Sequence, residues 1–306
     1  MIWLFIILII LVIGYLSLGF FFFNYSMNPR FSRKKLFKNR NEKLSSDNAL
    51  EWYKNTIHEN IYITSFDSIK LHAYKFNSKT HKYVIISHGY TNNGLDMLDY
   101  AKHYSELNFN VILIDHRAHG KSDGKYSTMG INESKDIMSW INYIIDNDKK
   151  SKIILHGISM GAYAVMLSVA RGNLPKNVLY AIEDCGFYSI YKQFYHQLKH
   201  EGHIPQVVIS AANIFYMLIL KVNIYKYDIL KSLSTAKLPM LFIHGSKDKF
   251  VTIDYLEDVY NSYGGKKEKL IVDNAKHMKS VMQNEKLYWS TVDRFIDKNF
   301  IGKEEK

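Results

Sequence analysis

The stretch Ile153-Ile154-Leu155-His156-Gly157-Ile158-Ser159-Met160-Gly161 decides how this 306-residue chain is read. A short apolar run of strand type ends in Gly-x-Ser-x-Gly, and a helical pattern of small and apolar residues follows. That layout predicts a sharp strand-to-helix turn that lifts the serine hydroxyl out of the sheet. Glycine is required on both sides because a side chain there would collide with the neighbouring strand or helix. The serine then stands at a helix N-terminus, where outward N–H groups and the helix dipole favour developing negative charge.

Strand and helix signals alternate around this stretch. Ile61–Phe66 and Ile69–Phe76 flank Asp67-Ser68 as a hairpin. Lys82–Ser87, Asn110–Asp115, Lys152–Gly157, Val178–Asp184, Met240–His244 and Lys269–Val272 read as further strands. Helical patterns occupy Leu95–Leu107, Ile131–Ile145, Ile253–Ser262 and Asn284–Phe300, with a shorter amphipathic one around Asp47–Glu59. Such alternation predicts an α/β fold, a mostly parallel, doubly wound sheet with helices on both faces. Between Gly186 and Leu233 the rhythm stops, and Tyr, Phe, Ile and Leu recur at helical spacing. The pattern resumes at Pro239, so residues 186–235 are expected to be a helical cap, inserted after the sixth strand, with apolar faces suited to an acyl pocket. The core is expected at residues 61–185 and 236–302.

The N-terminus is of another kind. No charged side chain occurs from Met1 to Pro29, and Ile2 to Phe23 is almost entirely Ile, Leu, Phe and Val. A spanning helix needs about 20 such residues. No basic side chain precedes the run and no Ala-x-Ala-like site follows it, which favours an uncleaved anchor, residues 1–24, over a signal peptide. The next segment, residues 25–60, is a basic juxtamembrane link. Arg30, Arg33, Lys34, Lys35, Lys38, Arg40 and Lys43, opposed only by Glu42, give it +6 of the net charge of +11. A bilayer surface is therefore the expected partner, and a nucleic acid is not, since little excess charge lies on the folded domain. Basic flanks stay cytoplasmic, so a single-pass protein with its large domain inside is expected.

A hydrophobic content of 47% against 23% charged excludes a disordered chain. The lone cysteine, Cys185, excludes an internal disulfide and a cysteine-based zinc cluster, and reads as a buried small hydrophobe. His196, His200 and His203 have metal-like spacing, but only Glu201 could complete a set and it lies on another helix face, so no metal is expected. No phosphate-binding loop or dinucleotide fingerprint is present, and no cofactor is expected.

A nucleophilic serine needs a base to take its proton and an acid to orient that base. Met240-Leu241-Phe242-Ile243-His244-Gly245-Ser246-Lys247-Asp248 puts Asp248 just past a strand end, and Lys269-Leu270-Ile271-Val272-Asp273-Asn274-Ala275-Lys276-His277 does the same for His277. C-terminal strand ends share one edge of a parallel sheet, so Ser159, Asp248 and His277 are expected to converge there. Asp184, also at a strand end, is the reserve candidate for the acid.

With His88-Gly89-Tyr90, Asp115-His116-Arg117-Ala118-His119-Gly120-Lys121-Ser122, the serine turn, His244-Gly245-Ser246-Lys247-Asp248 and His277, residues 61–300 resemble the α/β-hydrolase superfamily. The nearest resemblance is to its esterase, monoacylglycerol-lipase-like and serine-aminopeptidase-like members. The resemblance implies Ser159 as nucleophile, His277 as general base and then acid, Asp248 as orienting carboxylate, and the backbone N–H groups of Tyr90 and Met160 as oxyanion hole. One residue departs from the pattern: Ala118 stands where the family usually has glycine, and Arg117 and His119 nearby are expected to be scaffold. The expected activity is serine hydrolysis of carboxylic esters, acyl or lipid-like, of the EC 3.1.1 type. A peptidase or thioesterase of the same fold, or a silent membrane-bound interaction module, are the alternatives.

Overall fold

The computed structural model describes residues 1–36 and 45–301, leaving Lys38, Arg40, Glu42 and Lys43 of the basic cluster outside the described residues. Strands β1 (Glu59–Thr64), β2 (Lys70–Phe76), β3 (Lys82–Ser87), β4 (Asn110–Asp115), β5 (Lys152–Ile158), β6 (Val178–Asp184), β7 (Met240–Gly245) and β8 (Lys267–Val272) form one sheet in the order β1-β2-β4-β3-β5-β6-β7-β8. β1 pairs antiparallel with β2 and β2 with β4, and every other pairing is parallel. The helices are α1 (Ile2–Met27), α2 (Pro29–Leu36), α3 (Asp47–Asn55), α4 (Leu98–Glu106), α5 (Glu133–Asn147), α6 (Met160–Ala170), α7 (Ile190–His200), α8 (Pro205–Leu220), α9 (Leu230–Leu233), α10 (Ile253–Ser262), α11 (Ser280–Gln283) and α12 (Glu285–Ile301).

Two compact units emerge. One comprises residues 45–188 and 229–301, the other residues 1–36 and Ser189–Asp228. In the first, β4, β6 and β7 are buried along their whole length, because both faces of a parallel sheet are covered. Val84, Ile86 and Ile154 point into a cluster with Leu98 and Tyr104 of α4 and Tyr288 and Phe295 of α12. Their neighbours Ile85 and Leu155, which alternation turns to the opposite face, are equally buried. The edge strands β1 and β8 alternate buried or half-buried residues with exposed ones, and Glu59, Lys267 and Glu268 among them discourage edge-to-edge pairing.

The second unit contains α1, α2, α7 and α8. The N-terminal helix and the helical insertion, far apart in sequence, pack together in it. Gly19 of α1 lies so close to α8 that an added Cβ would sit 2.5 Å from the carbonyl of Ala211. Tyr15 donates to Ser210 Oγ at 2.9 Å, and Ser26 Oγ lies 2.7 Å from the Tyr216 hydroxyl. Phe20 and Phe23 meet Phe215 and Tyr216, and Phe22 meets Phe194 of α7 edge-on. These contacts carry α1 on to Met27, past the apolar run that defines it in sequence.

The β5–α6 turn is the tightest element of the larger unit. Ser159 adopts φ 56°, ψ −116°, a conformation that costs on the order of 1–3 kcal/mol for a residue with a Cβ. A Cβ on Gly157 would fall 2.3 Å from the carbonyl oxygen of Gly161, and one on Gly161 would fall 2.0 Å from that of Ser87. Both obstacles are backbone and cannot rotate away. α6 then runs buried on every side from Met160 to Val169, which explains its apolar composition all round. Gly161→Ala is therefore expected to destabilise the protein by about 2 kcal/mol or more. Thermal unfolding of the full-length protein in detergent checks this, and an unchanged midpoint would contradict the close approach.

Candidate active site

Three loops at the C-terminal ends of β5, β7 and β8 bring Ser159, Asp248 and His277 together. Ser159 Oγ lies 2.9 Å from His277 Nε2, and His277 Nδ1 lies 2.6 Å from Asp248 Oδ2. With the carboxylate as acceptor, Nδ1–H donates to it and Nε2 presents its lone pair to the serine hydroxyl. Asp248 is fixed from its other oxygen, since Oδ1 accepts from the backbone N–H groups of Phe250 at 2.8 Å and Val251 at 2.9 Å. The Asp248 side chain is fully buried, whereas that of His277 keeps 18% exposure. The ring of Phe250 lies 4.9 Å from the imidazole.

Asp248 and His277 hold their register because their loops are laced together. Ser246 N–H donates to Val272 O at 3.0 Å, Lys247 N–H to Ala275 O at 2.9 Å, and Asn274 N–H to Ser246 Oγ at 2.8 Å. Gly245 permits this, since a Cβ there would come within 2.4 Å of Ala275 O. His244, one turn before Asp248, brings its Nε2 to 3.5 Å from Asp248 Oδ2, but its Nε2–H donates to Val251 O at 2.8 Å, and burial lowers its pKa.

The loop after β3 borders the serine. A Cβ on Gly89 would lie 3.4 Å from Ser159 Cβ, so the residue before Tyr90 borders the serine, and Met160 follows the serine as the first residue of α6. Two histidines brace this loop. His88 Nε2 accepts from His116 N–H at 3.0 Å while Nδ1–H donates to Gly89 O at 2.7 Å. His119 Nε2 accepts from Thr91 N–H at 3.2 Å while Nδ1–H donates to Arg117 O at 2.8 Å. One nitrogen accepting and the other donating specifies a neutral ring, and burial pushes the His88 pKa down accordingly. Arg117 is occupied by both carboxylate oxygens of Asp136, at 2.7 Å each, and by Asp67. Arg117 thus helps to build the loop, as His119 does through Thr91 and Arg117. Ala118 has φ 63°, the left-handed region in which glycine is free of strain, which accounts for the family's usual glycine at this position.

Asp184, the reserve acid, goes elsewhere. Its oxygens accept from Ser280 Oγ at 3.2 Å and the Tyr288 hydroxyl at 3.0 Å, and burial raises its pKa to about 6. Tyr288 in turn accepts from His156 Nε2–H at 3.1 Å, and His156 Nδ1 accepts from the Tyr104 hydroxyl at 2.9 Å. This buried polar chain ties β5, β6, α4, α11 and α12 together under the site. Cys185 Sγ lies close to the Asp248–His277 pair, its thiol pKa raised by burial, a protonated and inert group. His196 and His200 have ring centres 6.5 Å apart, and His203 lies 3.7 Å from Glu201.

Comparison with known proteins agrees with this fold. Residues 78–182 match the family model Hydrolase_4, described as serine aminopeptidase, S33. The uncharacterised protein YqkD of Bacillus subtilis (strain 168) is 30% identical over 216 residues, 70% of each chain. Among solved structures, the Pyrococcus furiosus esterase Pf2001 superposes with a TM-score of 0.66 at 24% identity, over 80% of this chain and 93% of that one. A membrane phospholipase A superposes with a TM-score of 0.60 at 15% identity, over 78% of this chain and 86% of that one. The chain belongs to the α/β-hydrolase superfamily.

One buried group gives a pH test of the site's foundation. Glu183, beside Asp184, is fully buried, one oxygen accepts from Gly186 N–H at 2.9 Å, and burial pushes its pKa up to about 8. A folded-state pKa above the unfolded one means stability that is complete below pH ~4.5 and is lost as pH rises through about 8. Glu183→Gln keeps the acceptor and cannot ionise. Its stability relative to the wild type is expected to grow on the order of 1 kcal/mol per pH unit between about pH 5 and 8. Melting both proteins across that range measures this, and a difference independent of pH would refute it.

Proposed function

We propose that this protein is a membrane-anchored serine hydrolase that cleaves carboxylic esters, with acyl or lipid-like substrates. The observation that carries the reading is the unbroken chain from Ser159 Oγ to His277 Nε2 at 2.9 Å and from His277 Nδ1 to Asp248 Oδ2 at 2.6 Å. Ser159 Oγ attacks the ester carbonyl carbon and His277 Nε2 takes its proton. Asp248 holds the imidazole in the productive tautomer and stabilises the imidazolium. The backbone N–H groups of Met160 and Tyr90 receive the oxyanion, a contribution of about 3 kcal/mol per donor in related chemistry. His277 then protonates the leaving alcohol, an acyl-enzyme forms on Ser159, and a water deprotonated by His277 releases the carboxylic acid. No cofactor enters.

The substrate class is supported by the esterase and lipase character of the structural neighbours and by α1, the one helix among the described residues long and apolar enough to cross a membrane. Single-pass anchoring with the hydrolase domain on the cytoplasmic side is supported by the basic residues that follow α1, starting with Arg30. The description of the matched family model favours one second reading, an aminopeptidase of the same site chemistry.

Ser159→Ala is expected to abolish labelling by a fluorophosphonate probe, and Asp248→Asn to lower kcat about 10⁴-fold with little change in KM. Turnover of p-nitrophenyl esters of graded chain length, set against aminoacyl anilides, measures both variants and separates the two substrate classes. Labelling that persists in Ser159→Ala would remove the serine mechanism. Anilides turned over faster than every ester would make the protein a peptidase.

A further inference from the structure

We propose that the acyl group of the substrate lies in a small methionine-walled cavity beside Ser159 and that Met278 limits its length, so that the substrates are esters of short-chain acids. The proposal rests on the reading of Ser159 as a nucleophile toward carboxylic esters and narrows its substrate class. The cavity is formed wholly within the larger unit. Met97, Ile158, Met278, Val281 and Met282 give it an apolar wall. Two of these adjoin the triad along the chain, since Ile158 immediately precedes Ser159 and Met278 immediately follows His277. The same adjacency holds in space. A Cβ built on Gly89 would lie 3.2 Å from Met278 Cε and Sδ and 3.4 Å from Ser159 Cβ, so the thioether and the nucleophile both border Gly89, on the loop that leads to Tyr90. Met278 holds φ 58°, a conformation that a residue with a Cβ keeps only where its surroundings enforce it.

The charged groups that line the cavity are engaged with other partners. Asp96 Oδ2 accepts from Asn93 N–H at 2.9 Å and from its side-chain amide at 3.1 Å, Asp99 Oδ2 accepts from Ser46 N–H at 3.0 Å, and Lys279 Nζ donates to Met282 Sδ at 3.5 Å. Hydrocarbon and thioether are left to meet a ligand, a surface that adapts to a flexible apolar chain. Reaction order decides which part of an ester goes there. The leaving oxygen must stay within reach of His277 Nε2, and the deacylating water must reach the same nitrogen. The imidazole keeps 18% exposure, so both can use its solvent side. The acyl group stays bonded to Ser159 through both steps, and a pocket that holds it aside leaves that path clear. Size then sets the chain. The cavity measures about 30 Å³. One water needs about 10–15 Å³ on the same measure, so there is room for about two carbon groups beyond the carbonyl. Acetyl and propionyl groups fit, and a longer chain runs into the methionines.

The test uses full-length protein in detergent and compares kcat/KM along two ester series. p-Nitrophenyl esters from acetate to octanoate vary the acyl group, and acetates of alcohols from methyl to octyl vary the leaving group. Met278→Ala is set beside the wild type and beside Met282→Ala, a change at a side chain 64% exposed and so tolerated by the fold. The wild type is expected to lose activity beyond propionate. Both variants are expected to raise the ratio of hexanoate to acetate turnover by about tenfold or more, with the alcohol series unchanged. A wild type that prefers long acyl chains, or a ratio unmoved in both variants while esters are still cleaved, would overturn the acyl pocket and leave the esterase reading standing. A shift confined to the alcohol series would reassign the cavity to the leaving group and refute the proposal. No cleavage of any ester by the wild type, together with no fluorophosphonate labelling, would remove the esterase reading and the pocket with it.

Discussion

The site depends on a contact between backbones. Gly161 presses on the carbonyl of Ser87, and Gly157 presses on that of Gly161, so β3, β5 and α6 approach more closely than any side chain permits. This proximity forces Ser159 into a positive φ and presents its hydroxyl above the sheet, beside the loop that carries Tyr90. The remaining parts are adjustments around that fixed point. The loops after β7 and β8, laced to each other, carry Asp248 and His277, and buried neutral histidines stiffen the loop after β3.

Strain and polar burial are offset by the sheet. Ser159, Ala118 and Cys185 all carry positive φ angles without being glycine, and each sits where a strand end meets a crowded turn. Beneath them β4 and β6 are buried along their whole length and β5 at all but its first residue, so the covering helices supply the cohesion these conformations draw on. The polar chain from Tyr104 through His156 and Tyr288 to Asp184 is fully buried and internally satisfied, and such a network specifies one arrangement of the helices it joins.

Much of this was legible in the sequence. The strands from Lys82 to Val272 fell within two residues of their positions because each is an apolar run bounded by turn residues. Ser159, Asp248 and His277 were findable because each follows such a run. Sequence periodicity did not show that the helix read at Leu95–Leu107 opens with a separate 3-10 turn, capped reciprocally by Asn93 and Asp96. Nor could it pair Tyr104 with His156 and Tyr288, or Ser26 with Tyr216, since partners more than fifty positions apart leave no local periodicity. α1 was read to end at residue 24 on composition, and the polar contacts of Ser26 carry it to Met27. The bracing roles of His88 and His119 were likewise hidden, because a histidine's tautomer is set by neighbours that only the fold supplies.

The lacing of the β7 and β8 loops has a mechanical consequence. Asp248 and His277 stand on loops tied to each other at the β7–β8 side of the sheet, whereas Ser159 follows the central strand β5. A disturbance of the edge strand β8 would pass to the loop of Asp248 through those backbone hydrogen bonds, and to Ser159 through its 2.9 Å contact with His277.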